Sequence, residues 1–372
     1  MWDWRALSRV DFRIFPIVFC LMGISLLVIS AMTGDWEPVF WTPLSVSQLR
    51  WFCLGFLVFF LCAGFDYRKL RGWAPFLYVA ILLLLVGLFF VSPIQNVHRW
   101  YRIPGVASFQ PSEQAKLVVV LALSWFLERR GSVVGSLPTA FQMAFLVGVP
   151  FLLVLKQPDL GTAIILYPIA LVMGYLGGVH RGVVRFMAGA GVLGLAVITL
   201  IFVGLLSHEE MRPFFTTFMK EYQYERLNPN TYHQNAAQTA IAIGGLTGSG
   251  WHKSEFSGRK WLPAAHTDSV FPAFGEEFGF LGLMFLLFLF YALIYFSFQV
   301  AVVARDRFGQ LLAAGLAMYL DMHVLANVGM MCALLPISGV PLIFVTYGGS
   351  SLLTTMAALG LLQSIYSRRF MF

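Results

Sequence analysis

Three acidic residues lie where a long polar segment of the chain meets an apolar stretch. Asp268 stands at the start of that stretch, and Glu276 and Glu277 follow about two turns further in. A carboxylate at the outer end of a membrane helix can accept a proton from a substrate hydroxyl. Acidic residues deeper in the helix are energetically unfavourable in the membrane, so their presence indicates a function. Asp268 is also a good helix N-cap. Capping does not explain Glu276 and Glu277, and the residues alone leave both interpretations of Asp268 open.

A second acid–base pair stands at the start of another apolar stretch. Glu113 and Lys116 are three positions apart, so a helix places them on one face. One interpretation is a local ion pair that lets both charges lie at the membrane boundary. The functional alternative is that the pair positions a metal ion or a substrate phosphate.

Further polar residues interrupt the apolar stretches. Asp159 lies in the tight turn Gln157-Pro-Asp159-Leu-Gly161-Thr162, where it could cap the next helix or contact a substrate. Asp321, His323 and Asn327 share one apolar stretch, and the last two are four apart on one helix face. The default interpretation of Asn327 is a polar contact between packed helices.

Two glycine-containing segments predict irregular backbone. Gly244-Gly-Leu-Thr-Gly248-Ser-Gly250 lacks the strand and the Lys-Ser/Thr pair of a phosphate loop, so a hinge or a close backbone approach is expected. The stretch 336–351 combines Pro336, Gly339, Pro341 and Gly348. At membrane depth such backbone is expected to face a polar cavity rather than lipid.

The composition predicts an all-α polytopic membrane protein. Of the 372 residues, 59% are hydrophobic and only 12% are charged, against about 25% charged in soluble domains. A span needs about 20 mostly apolar residues, which predicts one bundle formed by residues 1–372. We expect ten spans, at 12–33, 48–65, 74–92, 111–127, 138–156, 161–178, 184–206, 273–302, 310–331 and 337–363.

The basic residues between the predicted spans fix the orientation. They fall on one side in strict alternation, at Arg5, Arg9, Arg13, Arg68, Lys69, Arg71, Arg129, Arg130, Arg181, Arg185, Arg305, Arg307, Arg368 and Arg369. The positive-inside rule assigns this side and both termini to the cytoplasm. The long segment 207–267, between spans seven and eight, is therefore extracytoplasmic.

One short outer segment is also basic. Arg99, Arg102 and Lys116 lie there, although long translocated loops carry charge freely and short ones do not. This pattern is typical of a cationic outer cavity for an anionic group such as a phosphate or pyrophosphate. The net charge of +7 does not indicate nucleic-acid binding, because the cations lie in short loops between spans.

These segments together resemble the SEDS family (shape, elongation, division and sporulation), and the short ends are similar to its RodA branch. The similarity covers nearly the whole chain in order. Its motifs are Arg99-Trp100, Gln110-Pro-Ser-Glu113-Gln-Ala-Lys116, Gln157-Pro-Asp159-Leu-Gly-Thr162, Tyr232-His233, Gly244-Gly-Leu-Thr-Gly-Ser-Gly-Trp251, His266-Thr-Asp268, Glu276-Glu277-Phe-Gly279, Asn327-Val-Gly-Met330, Gly339-Val-Pro-Leu342 and Tyr347-Gly-Gly-Ser-Ser351.

The resemblance implies a peptidoglycan glycosyltransferase that polymerises lipid II at the outer face of the bacterial inner membrane during cell-wall elongation. It implies a class B penicillin-binding protein (a transpeptidase) and other elongation-machinery proteins as partners. The family's essential Asp falls on Asp268, and its acid–base pair falls on Glu113 and Lys116.

On this basis Asp268 is expected to act as general base toward the acceptor hydroxyl, or to hold that hydroxyl. Protein cations or a bound Mg²⁺ or Mn²⁺ should stabilise the departing pyrophosphate, with Glu113 and Asp268 as the candidate metal ligands. The expected substrate-binding residues are Arg99, Glu113, Lys116, Asp159, Arg259, Lys260, His266, Glu276, Glu277, Asn327 and Ser350.

Two other functions remain open from the sequence. A lipid II flippase would also carry intramembrane acids, an anion-binding outer face and a broken helix, but matching repeat halves are not evident. A non-catalytic scaffold for a transpeptidase would have little use for Asp268 at the membrane mouth.

Overall fold

The computed structural model describes residues 7–33, 39–92, 98–103, 107–217 and 221–370. Arg5, one of the predicted cytoplasmic cations, lies outside these ranges, as do Asn96 and Lys220 of the outer segments. The long helices of the described chain are α1 (Ile14–Thr33), α2 (Pro43–Gly64), α3 (Leu70–Gly87), α4 (Pro111–Arg130), α5 (Leu137–Lys156), α6 (Leu160–Gly177), α7 (Arg181–Phe202), α12 (Val270–Val303), α13 (Arg307–Met331) and α14 (Gly349–Ser367).

Shorter elements lie in the outer segments. Strands β1 (Tyr101–Ile103) and β2 (Ala107–Phe109) form an antiparallel hairpin before α4, and four short helices precede α12. These helices are α8 (His208–Phe215), α9 (Glu221–Glu225), α10 (Tyr232–Gly244) and α11 (Glu255–Gly258). The helical fold class is confirmed, with the hairpin as one short addition that the sequence did not predict.

Eight of the long helices in the described chain are long and apolar enough to cross a membrane. The other two, α4 and α14, lie at the predicted fourth and tenth spans. Helix α4 carries charges at both ends, and α14 carries buried Ser, Thr and Gln side chains. Most residues of both helices are buried, so polar side chains are tolerated there because they face protein rather than lipid.

The predicted tenth span differs most from the structure. Only 349–367 is helical, whereas residues 332–348 form turns, bends and irregular backbone. The irregular backbone expected at 336–351 therefore begins four residues earlier and ends three residues earlier than the sequence indicated. It packs inward, since Val340, Leu342, Ile343 and Val345 are buried. We call residues 332–348 the outer cavity loop.

The basic loops meet at one end of the bundle. Arg71, at the start of α3, pairs with Glu128 of α4 at 2.8 Å and with Asp306 before α13 at 2.9 Å. Arg368 is buried and donates to the carbonyls of Ala63 and Gly64 at the end of α2. A cation at a helix C-terminus is favourable, so Arg368 stabilises the end of α2. Together with the Arg71 pairs it holds this end of the bundle together.

A break in α12 divides it into 270–278 and 280–303, because Gly279 adopts φ 67° and ψ −166°. The glycine-rich turn after α10 packs against this break. Ser249 N donates to Glu276 O at 2.9 Å, and Phe280 N donates to Gly245 O at 2.9 Å. Backbone groups freed by the break are thus satisfied by the turn, which confirms the expected close backbone approach.

The glycine at the end of α10 is required by this packing. A Cβ at Gly244 would lie 2.0 Å from Gly275 O, a backbone atom that cannot move aside. We predict that Gly244→Ala lowers the free energy of unfolding by about 1–3 kcal/mol, the usual cost of overpacking. A Cβ at Gly189 in α7 would meet no neighbouring atom within 4 Å, so Gly189→Ala is the control. Thermal unfolding in detergent measures both, and equal transition temperatures would contradict the prediction.

Candidate active site

A cavity of about 810 Å³ lies at the end of the bundle opposite the basic loops. Its walls come from the start of α4, the turn before α6, the segment before α12, the outer cavity loop and the start of α14. The predicted site residues that line it are Arg99, Glu113, Lys116, Asp159, Asp268 and Ser350. The fold therefore brings together six residues from segments that extend from position 99 to position 350 of the chain.

Asp268 is held by its backbone rather than by its side chain. Its carbonyl accepts a hydrogen bond from Asn327 Nδ2 at 3.1 Å. The preceding residues are tied to the outer cavity loop, since Thr346 Oγ1 donates to Thr267 O and Tyr347 N donates to His266 O, both at 3.1 Å. Within the described chain no hydrogen bond reaches the Asp268 carboxylate, which leaves it free for a ligand in the cavity.

Burial raises the pKa of the Asp268 carboxyl above its ordinary value. His233, Arg226, Arg99 and His266 act in the opposite direction, because positive charge favours the carboxylate. A carboxylate with a raised pKa is a stronger base than an exposed one. This environment suits a group that accepts a proton from a hydroxyl.

The outer cavity loop is fixed from the side of α13. Asn327 Nδ2 donates to Val340 O at 2.8 Å as well as to Asp268 O. Gly339 has φ +70°, a conformation that L side chains rarely adopt, and a Cβ there would lie 3.8 Å from Asp268 Oδ2. Glycine at 339 therefore allows the loop to turn close beside the acid.

The predicted pair Glu113 and Lys116 forms a buried ion pair, with Lys116 Nζ 2.9 Å from Glu113 Oε1. Lys116 Nζ also lies 2.8 Å from His323 Nε2 and 5.5 Å from the centroid of the Tyr319 ring. Glu113 Oε2 is buried and has no hydrogen-bond partner among the described residues. The pair is thus a charged wall of the cavity as well as a local ion pair.

Asp159 caps α6 and connects two outer segments. Its carboxylate accepts from Thr162 N at 3.3 Å, Thr162 Oγ1 at 3.0 Å, Ser112 Oγ at 2.7 Å and Gln110 Nε2 at 3.0 Å. These four donors occupy its oxygens, which favours the capping interpretation over a direct substrate contact. Arg99 is anchored beside it, donating to Gln157 O at 3.1 Å and to Pro158 O.

Five predicted substrate ligands besides Asn327 lie outside the residues that line this cavity. Glu276 accepts hydrogen bonds from Phe256 N and Ser257 N at 2.8 and 2.9 Å, and Glu277 accepts from His252 N at 3.0 Å. They hold the outer segment onto α12. The other three are Arg259 and Lys260, which are exposed, and His266, which packs on Tyr347.

Asn327 is likewise buried behind the cavity, where it positions Asp268 through the backbone. Its structural contact agrees with the default interpretation of polar packing between segments. The expected substrate contacts of Asn327, Arg259, Lys260, His266, Glu276 and Glu277 do not correspond to the geometry of this cavity.

Sequence reasoning missed several residues of the cavity wall. His233 and Arg226 line it, and His233 Nε2 lies 2.6 Å from Ser269 Oγ, one residue after Asp268. In the sequence, Arg226 is one outer cation among several, and His233 stands out only as part of a motif. The wall also includes Trp51, Gln110 and Tyr347. Trp51 belongs to α2, far from every segment that the motifs singled out, so no local signal marked it.

Residues 12–369 match the FtsW, RodA and SpoVE family of cell cycle proteins. The chain belongs to this family. It is 33% identical to the peptidoglycan glycosyltransferase MrdB of Escherichia coli K12, over 97% of this chain and 94% of that protein. It is 31% identical to a probable peptidoglycan glycosyltransferase FtsW of a Geobacter species (strain M18), over 85% of this chain and 84% of that protein.

Solved structures share the fold of this family member. Thermus thermophilus RodA, a rod shape determining protein, matches with a TM-score of 0.70 and 26% identity, covering 98% of both chains. A chain from a peptidoglycan synthase complex that coordinates polymerization and crosslinking matches with a TM-score of 0.75 and 28% identity. That match covers 98% of this chain and 99% of the other.

Two carboxylates of the cavity wall are of the chemical type that binds a divalent cation. Glu113 and Asp268 both lie on the wall, and the buried Glu113 Oε2 has no partner among the described residues. Carboxylate oxygens suit Mg²⁺ and Mn²⁺. No group of three or more His, Cys, Asp and Glu that could hold a metal occurs in the described part of the chain. Mg²⁺ often takes one or two carboxylates and completes its shell with substrate phosphates.

The buried ion pair predicts non-additive effects on stability. Removing one partner leaves the other charge buried and unpaired, so Glu113→Gln or Lys116→Met should each cost about 3–5 kcal/mol of unfolding free energy. The double variant should cost less than the sum of the two, because it leaves neither charge behind. Denaturation of the three variants in detergent measures this cycle. Strict additivity would show that the two side chains do not interact.

Proposed function

We propose that this protein is a peptidoglycan glycosyltransferase that polymerises lipid II, with Asp268 as the residue that engages the acceptor sugar hydroxyl. The observation that carries the proposal is the free Asp268 carboxylate in a cavity that is also lined by two anchored cations, Arg99 and Lys116. Joining two lipid-linked sugars requires a hydroxyl to lose its proton while a lipid pyrophosphate leaves. The Asp268 carboxylate can accept the proton, and the cations Arg99 and Lys116 can stabilise the leaving pyrophosphate.

Asp268 takes the proton of the acceptor hydroxyl as the new glycosidic bond forms. Its carboxylate lies just outside the first turn of α12, so it meets a substrate whose head group is at the outer surface and whose lipid remains in the membrane. His233 and Arg226 lie on the same wall and favour the carboxylate form that the base requires. General base catalysis of this kind typically contributes a factor of about 10²–10⁴ in rate.

Arg99 and Lys116 bind the pyrophosphate and stabilise the charge that develops as it leaves. Both are fixed by other groups, Arg99 by the carbonyls of Gln157 and Pro158 and Lys116 by Glu113. Preorganised cations in a water-poor site stabilise a developing anion more strongly than mobile surface cations. A Mg²⁺ or Mn²⁺ held by Glu113 and Asp268 would add charge neutralisation at the phosphates.

The proposed location is the bacterial inner membrane, with the cavity on the extracytoplasmic side. The positive-inside rule places the basic loops in the cytoplasm, and the cavity lies at the other end of the bundle. A class B penicillin-binding protein is the proposed partner. A structural relative belongs to a complex that joins polymerization to crosslinking, and that pairing supports a transpeptidase beside this chain.

We predict that Asp268→Asn abolishes glycan synthesis while the protein stays folded. The amide cannot accept the proton, so the rate should fall at least about 100-fold. Purified protein with labelled lipid II and Mg²⁺ or Mn²⁺, with and without a transpeptidase, gives a ladder of polymer on a gel. Glu209→Gln, which changes an exposed outer carboxylate, should keep wild-type activity.

The same assay separates the proposed enzyme from the two other functions. A scaffold would tolerate Asp268→Asn in cells, and a flippase would move lipid II across a liposome bilayer without making polymer. Absence of polymer from the wild-type protein under all these conditions, together with such movement, would refute the glycosyltransferase.

The pH dependence of polymerisation should report the Asp268 carboxyl. Because burial raises its pKa, activity should be lost as pH falls through a value above the ordinary 3.8 of an aspartate. Arg226 lowers this pKa, so Arg226→Gln should move the acid limb to higher pH. Arg212→Gln removes an exposed outer cation and should leave the acid limb of the pH profile unchanged. An Arg226→Gln profile that moves to lower pH would contradict the assignment.

A further inference from the structure

We infer that His323 is a positioning residue that aims the Lys116 ammonium at the pyrophosphate and couples it to the outer cavity loop. This inference rests on the proposed function, and it adds a role for a residue that does not itself line the cavity. His323 lies on α13, is completely buried, and stands behind Lys116 as seen from the cavity.

The contacts determine the tautomer of His323. The lysine ammonium has three donors and no acceptor, so His323 Nε2, 2.8 Å from Lys116 Nζ, must be the unprotonated acceptor. The proton is then on Nδ1, which donates to Pro341 O at 3.2 Å. Such a hydrogen bond from one ring nitrogen to a carbonyl orients the ring and fixes the other nitrogen as an acceptor.

Lys116 is thereby held from two sides. Glu113 Oε1 takes one of its hydrogens and His323 Nε2 takes a second, with the Tyr319 ring packed beside the ammonium. One N–H is left for a ligand in the cavity that Lys116 lines. Without His323, the ammonium would keep only the contact to Glu113 and could rotate toward it.

The same face of α13 also positions Asp268. Asn327, one turn after His323, binds Val340 O and Asp268 O, while His323 binds Pro341 O. Two adjacent turns of α13 therefore position Lys116, Asp268 and the outer cavity loop. The spacing of the two reacting groups is fixed by α13 rather than by either group alone. Misplacement of about 1 Å in such a site can cost on the order of 100-fold in rate.

The first test is kinetic and uses the full-length protein with lipid II. His323→Leu removes the acceptor for Lys116 and should lower kcat by about ten- to a hundredfold, with little change in KM for lipid II. A lower kcat with an unchanged KM is expected because the Lys116 ammonium acts on the leaving pyrophosphate in the transition state. His323→Gln keeps an acceptor oxygen near Lys116 and should regain most of the rate. Leu325→Ala, on the exposed side of α13, is the control.

The second test does not depend on activity. Protein labelled with ¹⁵N in its histidine rings should show His323 as the neutral form protonated on Nδ1, and Lys116→Met should shift its Nε2 signal. His323→Gln identifies the signal by its loss. A His323 protonated on Nε2, or a signal that Lys116→Met leaves unchanged, would overturn the contact.

The two tests distinguish failure of the inference from failure of the proposed function. If the wild-type protein makes no polymer, the proposed function fails and the histidine spectrum alone decides the Lys116 contact. If the wild-type protein polymerises lipid II and folded His323→Leu keeps its kcat, the positioning role is wrong. If His323→Leu and His323→Gln lower kcat by the same factor and lower thermal stability by the same amount, His323 has only a structural role.

Discussion

The site depends on keeping a lysine ammonium inside an apolar helix bundle. Lys116 is 1% exposed, and a charge at that depth is tolerated only when it is paired and hydrogen-bonded. Glu113 supplies the opposite charge and His323 supplies a second acceptor. Because these partners come from α4 and α13, the hydrogen bonds that this buried cation requires hold the two helices together at this point. Glu113 and Lys116 line the cavity at this point.

The rest of the cavity is organised around the outer cavity loop. A continuous helix at 332–348 would satisfy its own backbone, whereas this loop must find partners elsewhere. It finds them on Asn327 and His323 of α13 and on Thr267 and His266 before α12. The loop is therefore held by hydrogen bonds to two segments although it has no regular structure. This network fixes the position of Asp268, whose carboxylate makes no hydrogen bond within the described chain.

The sequence predicts the bundle well because the membrane imposes simple rules. Continuous apolar stretches are enough to place the long helices, and the alternating basic loops lie at one end of the bundle, which the positive-inside rule predicts to be cytoplasmic. It also predicts Glu113, Lys116, Asp268 and Ser350 at the cavity, because each stands at the outer end of a long helix. Neighbouring outer ends in a bundle are close in space even when they are distant in sequence.

Contacts to the backbone could not be predicted in the same way. Glu276 and Glu277 resembled substrate ligands because acids are rare inside a span. They bind N–H groups of residues 252, 256 and 257, whose positions depend on the break at Gly279. The same limitation applies to His323. Its spacing from Asn327 indicated a shared helix face, but neither the Lys116 contact nor the Pro341 contact has a signature in the sequence.

The proposed mechanism can be tested directly by a cryo-electron microscopy structure of this protein with lipid II bound in a lipid nanodisc. We expect an acceptor hydroxyl within hydrogen-bond reach of the Asp268 carboxylate, about 3 Å, and pyrophosphate oxygens on Arg99 and Lys116. A lipid II head group bound elsewhere, with Asp268 facing an empty cavity, would contradict it.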